Sequence, residues 1–264
     1  MKRIVSILVA LILSMSMVCF ATEADDKAYI TGNGKMVIGI TEYEPMNYYD
    51  ENGKLVGFDT EFAEALCAKM GIDPEFVVID WSTKEIELKA KSIDCIWNGL
   101  TVTEERKENM QFSKSYMKNK QVVVIRSKDA EKFADIAAIA TGALVAEEGS
   151  AGESAIMADA ALSTAIYTPI ANMASCLMEI KAGTADAAIL DVTMASAMVG
   201  EGTDYADLMI VPGIELAVEE YAIGFRVGSD MAAAADAVID ELYADGTMAQ
   251  LAEKYDLAAM LIAE

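Results

Sequence analysis

Short apolar runs alternate with amphipathic helical patterns along most of this chain, at the spacing typical of α/β proteins. The segment Lys35–Ile40 is one such run, and a helical pattern over Thr60–Met70 follows it, with apolar side chains recurring every fourth residue. Asp59 is predicted to cap this helix and Gly71 to end it. Because the same alternation continues to the last helical pattern of the chain, the sequence predicts an α/β fold.

The first and middle parts of the chain differ in composition, which indicates two lobes rather than one sheet. Both tryptophans and most aromatic residues precede residue 117, whereas residues 130–200 are rich in alanine. Strand-like segments at Asn119–Arg126 and Ala217–Phe225 lie where the alanine-rich part begins and ends. The predicted division is a discontinuous lobe 1 of residues 25–116 plus 222–264, a lobe 2 of residues 121–216, and a two-segment hinge at residues 117–120 and 217–221.

The charge balance and the absence of histidine exclude several classes of function. The chain has 20 Lys+Arg and 43 Asp+Glu, a net charge of −23. Because so acidic a surface repels phosphate backbones, we expect no binding of nucleic acid. The chain contains 0 histidines, which removes Ser-His-Asp and Cys-His catalysis, imidazole bases and nearly all zinc sites. The sequence therefore indicates no catalytic residues, no metal site and no cofactor.

The first 21 residues have the character of a signal peptide. A short basic start precedes the apolar stretch Ile4–Phe20, and Cys19 and Ala21 are the small residues expected just before a cleavage site after Ala21. Two alternatives remain open, namely lipid modification of Cys19 and retention of the segment as a membrane anchor. We therefore expect an exported protein, periplasmic or on the cell surface, from which residues 1–21 have been removed.

Cleavage after Ala21 would leave three cysteines, Cys67, Cys95 and Cys176. An odd number in an exported protein argues against a framework of disulfides. We expect all three to be buried thiols, and a Cys67–Cys95 disulfide is the alternative.

An arginine stands in an unusual place for a helix. The segment Asn98–Arg106 follows a strand and opens a short helix that Thr103 is expected to cap. Arg106 lies in the first turn of that helix, where a cation opposes the helix dipole. A guanidinium beside free backbone N–H groups is well suited to bind an anion. Pairing of Arg106 with Glu105 or Glu108 on the surface is the alternative.

Three further features stand at the ends of predicted strands. Glu148–Glu153 is a glycine- and serine-containing turn before a helix, where backbone amides can approach an anion and Ser150 adds a hydroxyl. Asp191 ends a buried strand, and it can hold a cation at that sheet edge or cap the next helix. Tyr43 and Trp81 each follow a strand of lobe 1, so their rings are expected near one edge, as a binding surface or as packing.

Together these segments resemble the amino-acid-binding solute receptors of ABC importers, which have the type 2 periplasmic-binding-protein fold. The resemblance covers residues 35–256, and its most specific part is the pattern Gly-x-Thr-x-Thr-x-x-Arg at Gly99–Arg106 followed by Asp191. It rests on the segments Tyr43–Tyr48, Gly57–Ala63, Asp80–Trp81, Ile93–Arg106, Gln111–Tyr116, Glu148–Glu153, Gly183–Asp191 and Tyr221–Phe225. It implies mixed sheets flanked by helices in two lobes joined by a two-segment hinge.

The resemblance also implies a ligand site between the lobes. Arg106 would bind the ligand α-carboxylate, helped by Thr101 and the amides around Ser150. Asp191 and the carbonyl of Gly99 would receive the α-ammonium, and two aromatic rings would sandwich the side chain. The implied site residues are Tyr43, Trp81, Asn98, Gly99, Thr101, Arg106, Glu147, Ser150, Ala151 and Asp191. One departure from the family is the Ala151–Gly152 pair, where hydroxyl residues are often seen.

The implied function is that of the extracytoplasmic substrate-binding subunit of an amino-acid ABC importer, a monomer and not an enzyme. It would close around a free, polar L-amino acid and deliver it to a membrane permease, because only a bridging zwitterion satisfies both Arg106 and Asp191. Glu42, Glu44 and Glu147 are expected near the pocket, and an inward-facing carboxylate among them would favour a polar or cationic side chain; a place on the general acidic surface is the alternative for all three. Two alternatives stay open: a lyase like the cyclohexadienyl dehydratases, with Glu147 as general acid, and a ligand-sensing receptor domain.

Overall fold

The computed structural model of the chain describes residues 25–263, which form two five-stranded sheets and a two-stranded hairpin. The strands are β1 (Lys35–Ile40), β2 (Tyr48–Tyr49), β3 (Leu55–Val56), β4 (Asp73–Val78), β5 (Cys95–Ile96), β6 (Met110–Phe112), β7 (Met117–Arg126), β8 (Ala143–Glu147), β9 (Ile166–Ile170), β10 (Ala187–Asp191), β11 (Leu208–Tyr221) and β12 (Gly224–Arg226). The helices are α1 (Asp26–Gly32), α2 (Phe58–Met70), α3 (Lys84–Lys89), α4 (Glu104–Asn109), α5 (Ile136–Ile139), α6 (Ala151–Ala158), α7 (Met173–Ala182), α8 (Val192–Met198), α9 (Met231–Ala244) and α10 (Thr247–Lys254). The predicted signal peptide, residues 1–21 with Cys19, lies outside the described residues.

The predicted alternation of strands and helices is confirmed, and the first sheet shows its physical basis. Its strand order is β4-β1-β5-β12-β6. β1 pairs in parallel with β4 and β5, whereas β12 pairs antiparallel with β5 and β6. Successive residues Ile38, Gly39 and Ile40 are all buried, so both faces of the strand are covered. A continuous apolar run, rather than an alternating one, is what such a strand requires.

Helix α2 begins two residues earlier than its sequence pattern predicts, and the prediction that Asp59 caps it is wrong. Gly57 holds the cap position with φ +128°, where a Cβ would collide with a neighbouring main-chain oxygen. Asp59 is buried inside the helix and accepts hydrogen bonds from the Gly99 N–H at 2.7 Å and the Tyr116 hydroxyl at 2.9 Å. Both partners are remote in sequence, so the local pattern does not contain them. Gly71 ends the helix in the left-handed conformation, as predicted.

The second sheet has the order β11-β7-β10-β8-β9, and every residue of its central strand β10 is buried. β7 leads the chain from the first sheet into the second, and β11 leads it back. These two strands pair antiparallel as far as Met117 and Tyr221, so the two crossings form one ribbon. The strand-like segment predicted at Ala217–Phe225 is divided between the end of β11 and β12.

Aromatic side chains fill the core under the first sheet, in agreement with the composition of the first part of the chain. Phe62 of α2 stands edge-on to Trp97, with ring centroids 4.7 Å apart, and edge-on to Tyr116 at 5.3 Å. Helices α9 and α10, from the end of the chain, pack against α2. The C-terminal helices therefore belong to the first sheet rather than to the alanine-rich second one.

All three cysteines of the described residues are buried free thiols, as expected, and the alternative Cys67–Cys95 disulfide is not formed. Burial raises the pKa of the Cys67 thiol to about 12, so it stays protonated at neutral pH. Among residues 25–263, no helix combines the length and the apolarity that crossing a bilayer requires.

A buried ion cluster joins three distant parts of the chain beneath the first sheet. Arg226 donates from Nη2 to Asp26 at 2.6 Å and to Asp94 at 3.0 Å, and Ser229 donates to Asp26 at 2.7 Å. Both side chains of the Arg226–Asp26 pair are nearly inaccessible, at 2% and 1% exposure. Helix α1 is therefore tied to β5 and β12 by charge as well as by apolar packing.

We expect Asp26→Ala to destabilise the fold by about 3 kcal/mol, because removal of one partner leaves the buried Arg226 guanidinium incompletely paired. Urea unfolding monitored by circular dichroism measures the change. Asp25→Ala is the matched control, since Asp25 is exposed and its side chain makes no capping hydrogen bond. A loss in Asp26→Ala that equals the loss in the control would contradict the role assigned to the cluster.

Candidate functional site

One small cavity lies between the two sheets, and it brings together all ten residues that the sequence resemblance implies. Segments of the first sheet contribute one wall, and the carboxyl ends of strands in the second sheet contribute the other. The lining residues are Tyr43, Trp81, Asn98, Gly99, Thr101, Arg106, Glu147, Ser150, Ala151, Met173 and Asp191. Met173, at the start of α7, is the lining residue that sequence reasoning missed.

Arg106 is a buried cation whose hydrogen-bond partners are carbonyl oxygens. Thr103 caps α4 as predicted, accepting from the Arg106 N–H at 3.1 Å, which fixes the arginine in the first turn. The guanidinium donates from Nη1 to the Thr101 carbonyl at 2.9 Å and from Nη2 to the Gly149 carbonyl at 3.1 Å. Burial lowers the pKa of this guanidinium, while the charge of Glu219 acts in the opposite direction.

The alternative of a surface pair with Glu105 or Glu108 is wrong, because Arg106 is only 7% exposed. The salt bridges within residues 25–263 do not include Arg106. A guanidinium has five N–H donors, so two carbonyl partners leave capacity for a further acceptor. A buried guanidinium with unused N–H donors and no carboxylate partner is stabilised by an anionic group beside it.

Asp191 is the corresponding buried anion on the opposite wall, at the carboxyl end of β10. Its Oδ2 accepts from the hydroxyls of Tyr43 at 2.8 Å and Tyr221 at 2.6 Å, and its Oδ1 accepts from the Gln121 amide. The carboxylate does not cap α8, so the capping alternative is wrong. Burial raises the pKa of Asp191, and the surrounding donors counteract part of that rise. A cation beside this carboxylate would complete its surroundings.

The turn before α6 presents backbone groups to the cavity. Ser150 caps this helix through its Oγ, which accepts from the Glu153 N–H at 3.1 Å. Gly149, with φ +72°, directs its carbonyl to two cations, accepting from Arg106 and from Lys84 at 3.0 Å. At Gly152 a Cβ would lie 2.5 Å from the Ile189 carbonyl oxygen, so close packing of the helix start on β10 requires glycine. The glycine at position 152 thus has a steric reason.

Two aromatic residues lie in the cavity wall, each tied to a polar neighbour. Trp81 belongs to a single 3-10 turn that Asp80 caps, and the ammonium of Lys84 lies 4.9 Å from its ring centroid. The Tyr43 hydroxyl contacts Tyr221 at 2.6 Å as well as Asp191. A Cβ at Gly99 would lie 2.7 Å from the Tyr43 ring, so glycine permits their close approach.

Asn98 lines the cavity, but its side chain is occupied by the protein. Its amide donates to the Thr41 carbonyl at 2.9 Å and to Asn47 at 2.7 Å, and its oxygen accepts from the Thr41 hydroxyl at 2.7 Å. With both amide donors satisfied, Asn98 holds the segment that carries Tyr43 in place.

Glu147 is a second buried carboxylate of the cavity, and its Oε1 lacks a hydrogen-bond partner among the described residues. Burial, followed by the charge of Asp191, raises the pKa of Glu147 to about 8. Of the three glutamates considered, Glu147 lines the cavity, whereas Glu42 and Glu44 do not. Glu42 is exposed and Glu44 lines a different cavity, because only the intervening Tyr43 points inward.

Four polar residues behind the lining escaped the sequence reasoning. Lys84 follows Trp81 by one helical turn, which is the only local signal of its position, and burial lowers the pKa of its ammonium to about 8. Gln121 lies directly opposite Asp191 in the pairing of β7 with β10, Tyr221 reaches Asp191 from the end of β11, and Glu219 lies beside Gln121. No pattern along the sequence indicates that pairing. Within the described residues, no group of three or more acidic or cysteine side chains is arranged to hold a metal ion.

Comparison with known proteins finds relatives over nearly the whole chain. The profile of the bacterial extracellular solute-binding proteins, family 3, matches residues 36–258. The arginine-binding extracellular protein ArtP of Bacillus subtilis (strain 168) is 25% identical over 261 residues, which are 97% of this chain and 98% of that protein.

Solved structures share the fold. The structure of Tv2483 bound to L-arginine aligns with a TM-score of 0.84 at 25% identity, covering 90% of this chain and 97% of that one. A substrate-binding protein of an ABC uptake transporter from Streptococcus pneumoniae with bound histidine aligns with a TM-score of 0.78 at 28% identity, covering 89% and 97%. The two-lobed α/β fold of the type 2 periplasmic binding proteins, predicted from the sequence, is confirmed.

The burial of Glu147 predicts a pH dependence of folding. Because its pKa is about 8 in the native state and 4.5 as the ordinary value, the native protein binds more protons than the unfolded chain between these limits. The contribution of Glu147 to stability therefore falls as pH rises from about 4.5 to about 8, by at most about 1.4 kcal/mol per pH unit. Glu147→Gln should remove this part of the slope.

Urea unfolding at pH 5, 6, 7 and 8 measures it. The matched control is Glu148→Gln at the exposed neighbouring position, which should keep the wild-type slope. Identical slopes for Glu147→Gln and wild type would contradict the prediction.

Proposed function

The chain belongs to the bacterial extracellular solute-binding proteins, family 3, and on this premise we propose that its cavity holds a free L-amino acid with a cationic side chain. It is an exported amino-acid-binding protein of an ABC transporter, as are the relatives that it matches along its length. The finer assignments of ligand, site roles, hinge and membrane attachment are proposals.

The observation that carries the proposal is the separation of two buried charges across one cavity. Arg106 on one wall lacks a carboxylate partner among the described residues, and Asp191 on the other lacks a cationic one. An α-amino acid carries both missing groups about one carbon atom. We assign its carboxylate to Arg106, Thr101 and the amide at Ala151, because the Ser150 N–H donates to the Glu147 carbonyl, and its ammonium to Asp191 and the Gly99 carbonyl.

The preference for a cationic side chain rests on Glu147. Once the zwitterion neutralises Arg106 and Asp191, Glu147 is the remaining lining carboxylate, and its Oε1 has no partner among residues 25–263. A guanidinium, ammonium or imidazolium would supply that partner, with Tyr43 and Trp81 packing against the side-chain stem. The arginine named for ArtP and Tv2483 and the histidine bound to the Streptococcus pneumoniae protein support this direction.

We propose that the lobes and hinge are those predicted from the sequence, residues 25–116 plus 222–264, residues 121–216, and the two crossings between them. The antiparallel pairing of Met117 with Tyr221 supports this division, because a two-stranded ribbon can bend without breaking its hydrogen bonds. Ligand binding would then favour the closed form, which the permease recognises.

Attachment and assembly are proposed from the sequence. The exported chain is a monomer that binds no nucleic acid, and its signal peptide is cleaved after Ala21. Lipid anchoring at Cys19 is the alternative, and the intact mass of the exported protein distinguishes the two.

Catalysis is the second candidate, favoured by one observation. A neutral Glu147 with a pKa of about 8 is what a general acid in a dehydratase-like lyase would need. We propose binding without catalysis, since the cavity holds no base–nucleophile pair among the described residues. Turnover of prephenate or arogenate by the purified protein would overturn this.

We expect arginine, lysine and histidine to raise the melting temperature more than the other members of a panel of the twenty amino acids plus cystine. In calorimetry, Glu147→Gln should weaken arginine binding at least about tenfold and glutamine binding much less, because only arginine loses a charge-assisted hydrogen bond. Glu148→Gln is the control. Equal losses for both ligands would refute the role of Glu147, and no stabilisation by any amino acid would refute the ligand class.

Arg106→Ala should weaken binding of the best amino acid of the panel by roughly 2–5 kcal/mol, since the ligand carboxylate loses its charged partner. Arg106→Lys should restore little, because a point charge does not reproduce the planar fork of the guanidinium. Titration calorimetry measures both, with Lys107→Ala, an exposed lysine on the same helix, as the control. Affinity of Arg106→Ala within threefold of wild type would refute the carboxylate assignment.

A further inference from the structure

A third carboxylate, Glu219 of β11, lies just behind the cavity and is held by donors from separate parts of the chain. Its Oε2 accepts from the Thr101 hydroxyl at 3.0 Å, from the Asn119 amide at 2.9 Å and from the Gln121 amide at 3.0 Å. Gln121 uses the same nitrogen to reach Asp191. Glu219 is therefore connected to both ends of the proposed ligand site, although it does not line the cavity.

Thr101 has a single hydroxyl proton, which it can donate either to Glu219 or to a ligand carboxylate, but not to both. Thr101 lines the cavity beside Arg106, whose guanidinium is bonded to the Thr101 carbonyl. While the hydroxyl donates to Glu219, its oxygen can act only as an acceptor toward the cavity. An ionised carboxylate has no proton to donate, so it cannot hydrogen-bond to the hydroxyl in that state. A ligand carboxylate and an ionised Glu219 therefore compete for the same proton.

We propose that Glu219 is a positioning residue that sets the affinity of the site, acting as an internal competitor for the ligand carboxylate through the Thr101 hydroxyl. The inference rests on the proposed function, because it assigns the ligand carboxylate to the Arg106 end of the cavity. When Glu219 is neutral, its hold on Thr101 weakens and the hydroxyl turns to the ligand. When Glu219 is ionised, the hydroxyl stays with it and binding is weaker.

The charges around Glu219 place this change near neutral pH. Burial, followed by repulsion from Asp191, raises the pKa of Glu219 to about 7, and its amide and hydroxyl donors limit the rise. The positive charge of Arg106 interacts with Glu219. On the neighbouring strand, Lys120 is paired with Glu215 instead. Since Asp191 and Glu147 have raised pKa values as well, the effect of Glu219 must be isolated as a ratio between variants.

Calorimetric titration with L-arginine, L-lysine, L-histidine and L-glutamine at pH 5.5 and pH 8.0 tests the proposal. Glu219→Gln should bind about three- to tenfold more tightly than wild type at pH 8.0 and within twofold of it at pH 5.5, because a neutral amide holds the hydroxyl less strongly than a carboxylate. The matched control is Glu220→Gln, an exposed position on the same strand, which should stay within twofold of wild type at both values. An unchanged or weaker affinity of Glu219→Gln at pH 8.0 overturns the proposal.

Thr101→Val tests the same mechanism without altering Glu219. It should weaken binding more at pH 5.5 than at pH 8.0, where the hydroxyl already belongs to Glu219. In its background, Glu219→Gln should change affinity less than twofold at either pH. If Glu219→Gln raises the affinity at pH 8.0 as much in the Thr101→Val background as in wild type, the proposed competition for the hydroxyl is wrong. Wild-type protein that binds none of the four amino acids would refute the proposed function itself.

Discussion

Two buried charges on opposite walls of one cavity are the constraint on which the rest of this structure depends. Among the described residues, Arg106 donates to carbonyl oxygens and Asp191 accepts from hydroxyls and an amide. Taking each ion out of water costs several kcal/mol, and their own partners return only part of that cost. Under the proposed function, a zwitterion between the two walls would offset the remainder, and the same contacts would favour closure.

The fold places these charges by simple means. Helix α4 lies between strands β5 and β6 of the first sheet. Thr103 caps it, which holds Arg106 in the first turn. β10 ends at Asp191 in the middle of the second sheet, where its neighbours bury it completely. The β7–β11 ribbon runs between the sheets and carries Gln121 and Glu219 against the same site. Glu219 and Tyr221 of the proposed hinge accept from Thr101 and donate to Asp191 of the proposed ligand site, respectively, which would couple bending to binding.

Three carboxyl groups, Asp191, Glu147 and Glu219, are crowded around this cavity, and burial raises the pKa of each. The acidity of the whole chain, −23, describes its surface and says little about this cluster. Burial, followed by the charge of Asp191, raises the pKa of Glu147 to about 8 and that of Glu219 to about 7. Such crowding is unfavourable for folding and useful for a site that receives a cation.

The sequence by itself determined the features that depend on near neighbours along the chain. The end of α2 at Gly71, the Thr103 cap of α4 and the position of Asp191 at a strand end all follow from patterns a few residues long. The ten site residues that the family resemblance implied line one cavity, to which the first sheet contributes one wall and the carboxyl ends of strands in the second sheet the other.

The tertiary structure alone decided which hydrogen-bond partners, remote in sequence, strand pairing and helix packing bring together. Asp59 is not a cap because Gly99 and Tyr116 claim its carboxylate, and Glu44 turns away because Tyr43 faces inward. Glu219 meets Thr101 across 118 positions of sequence, beside an antiparallel bridge between Thr101 and Tyr221. Such contacts have no local signature, because their energy depends on burial and on donors that the neighbouring sequence does not contain.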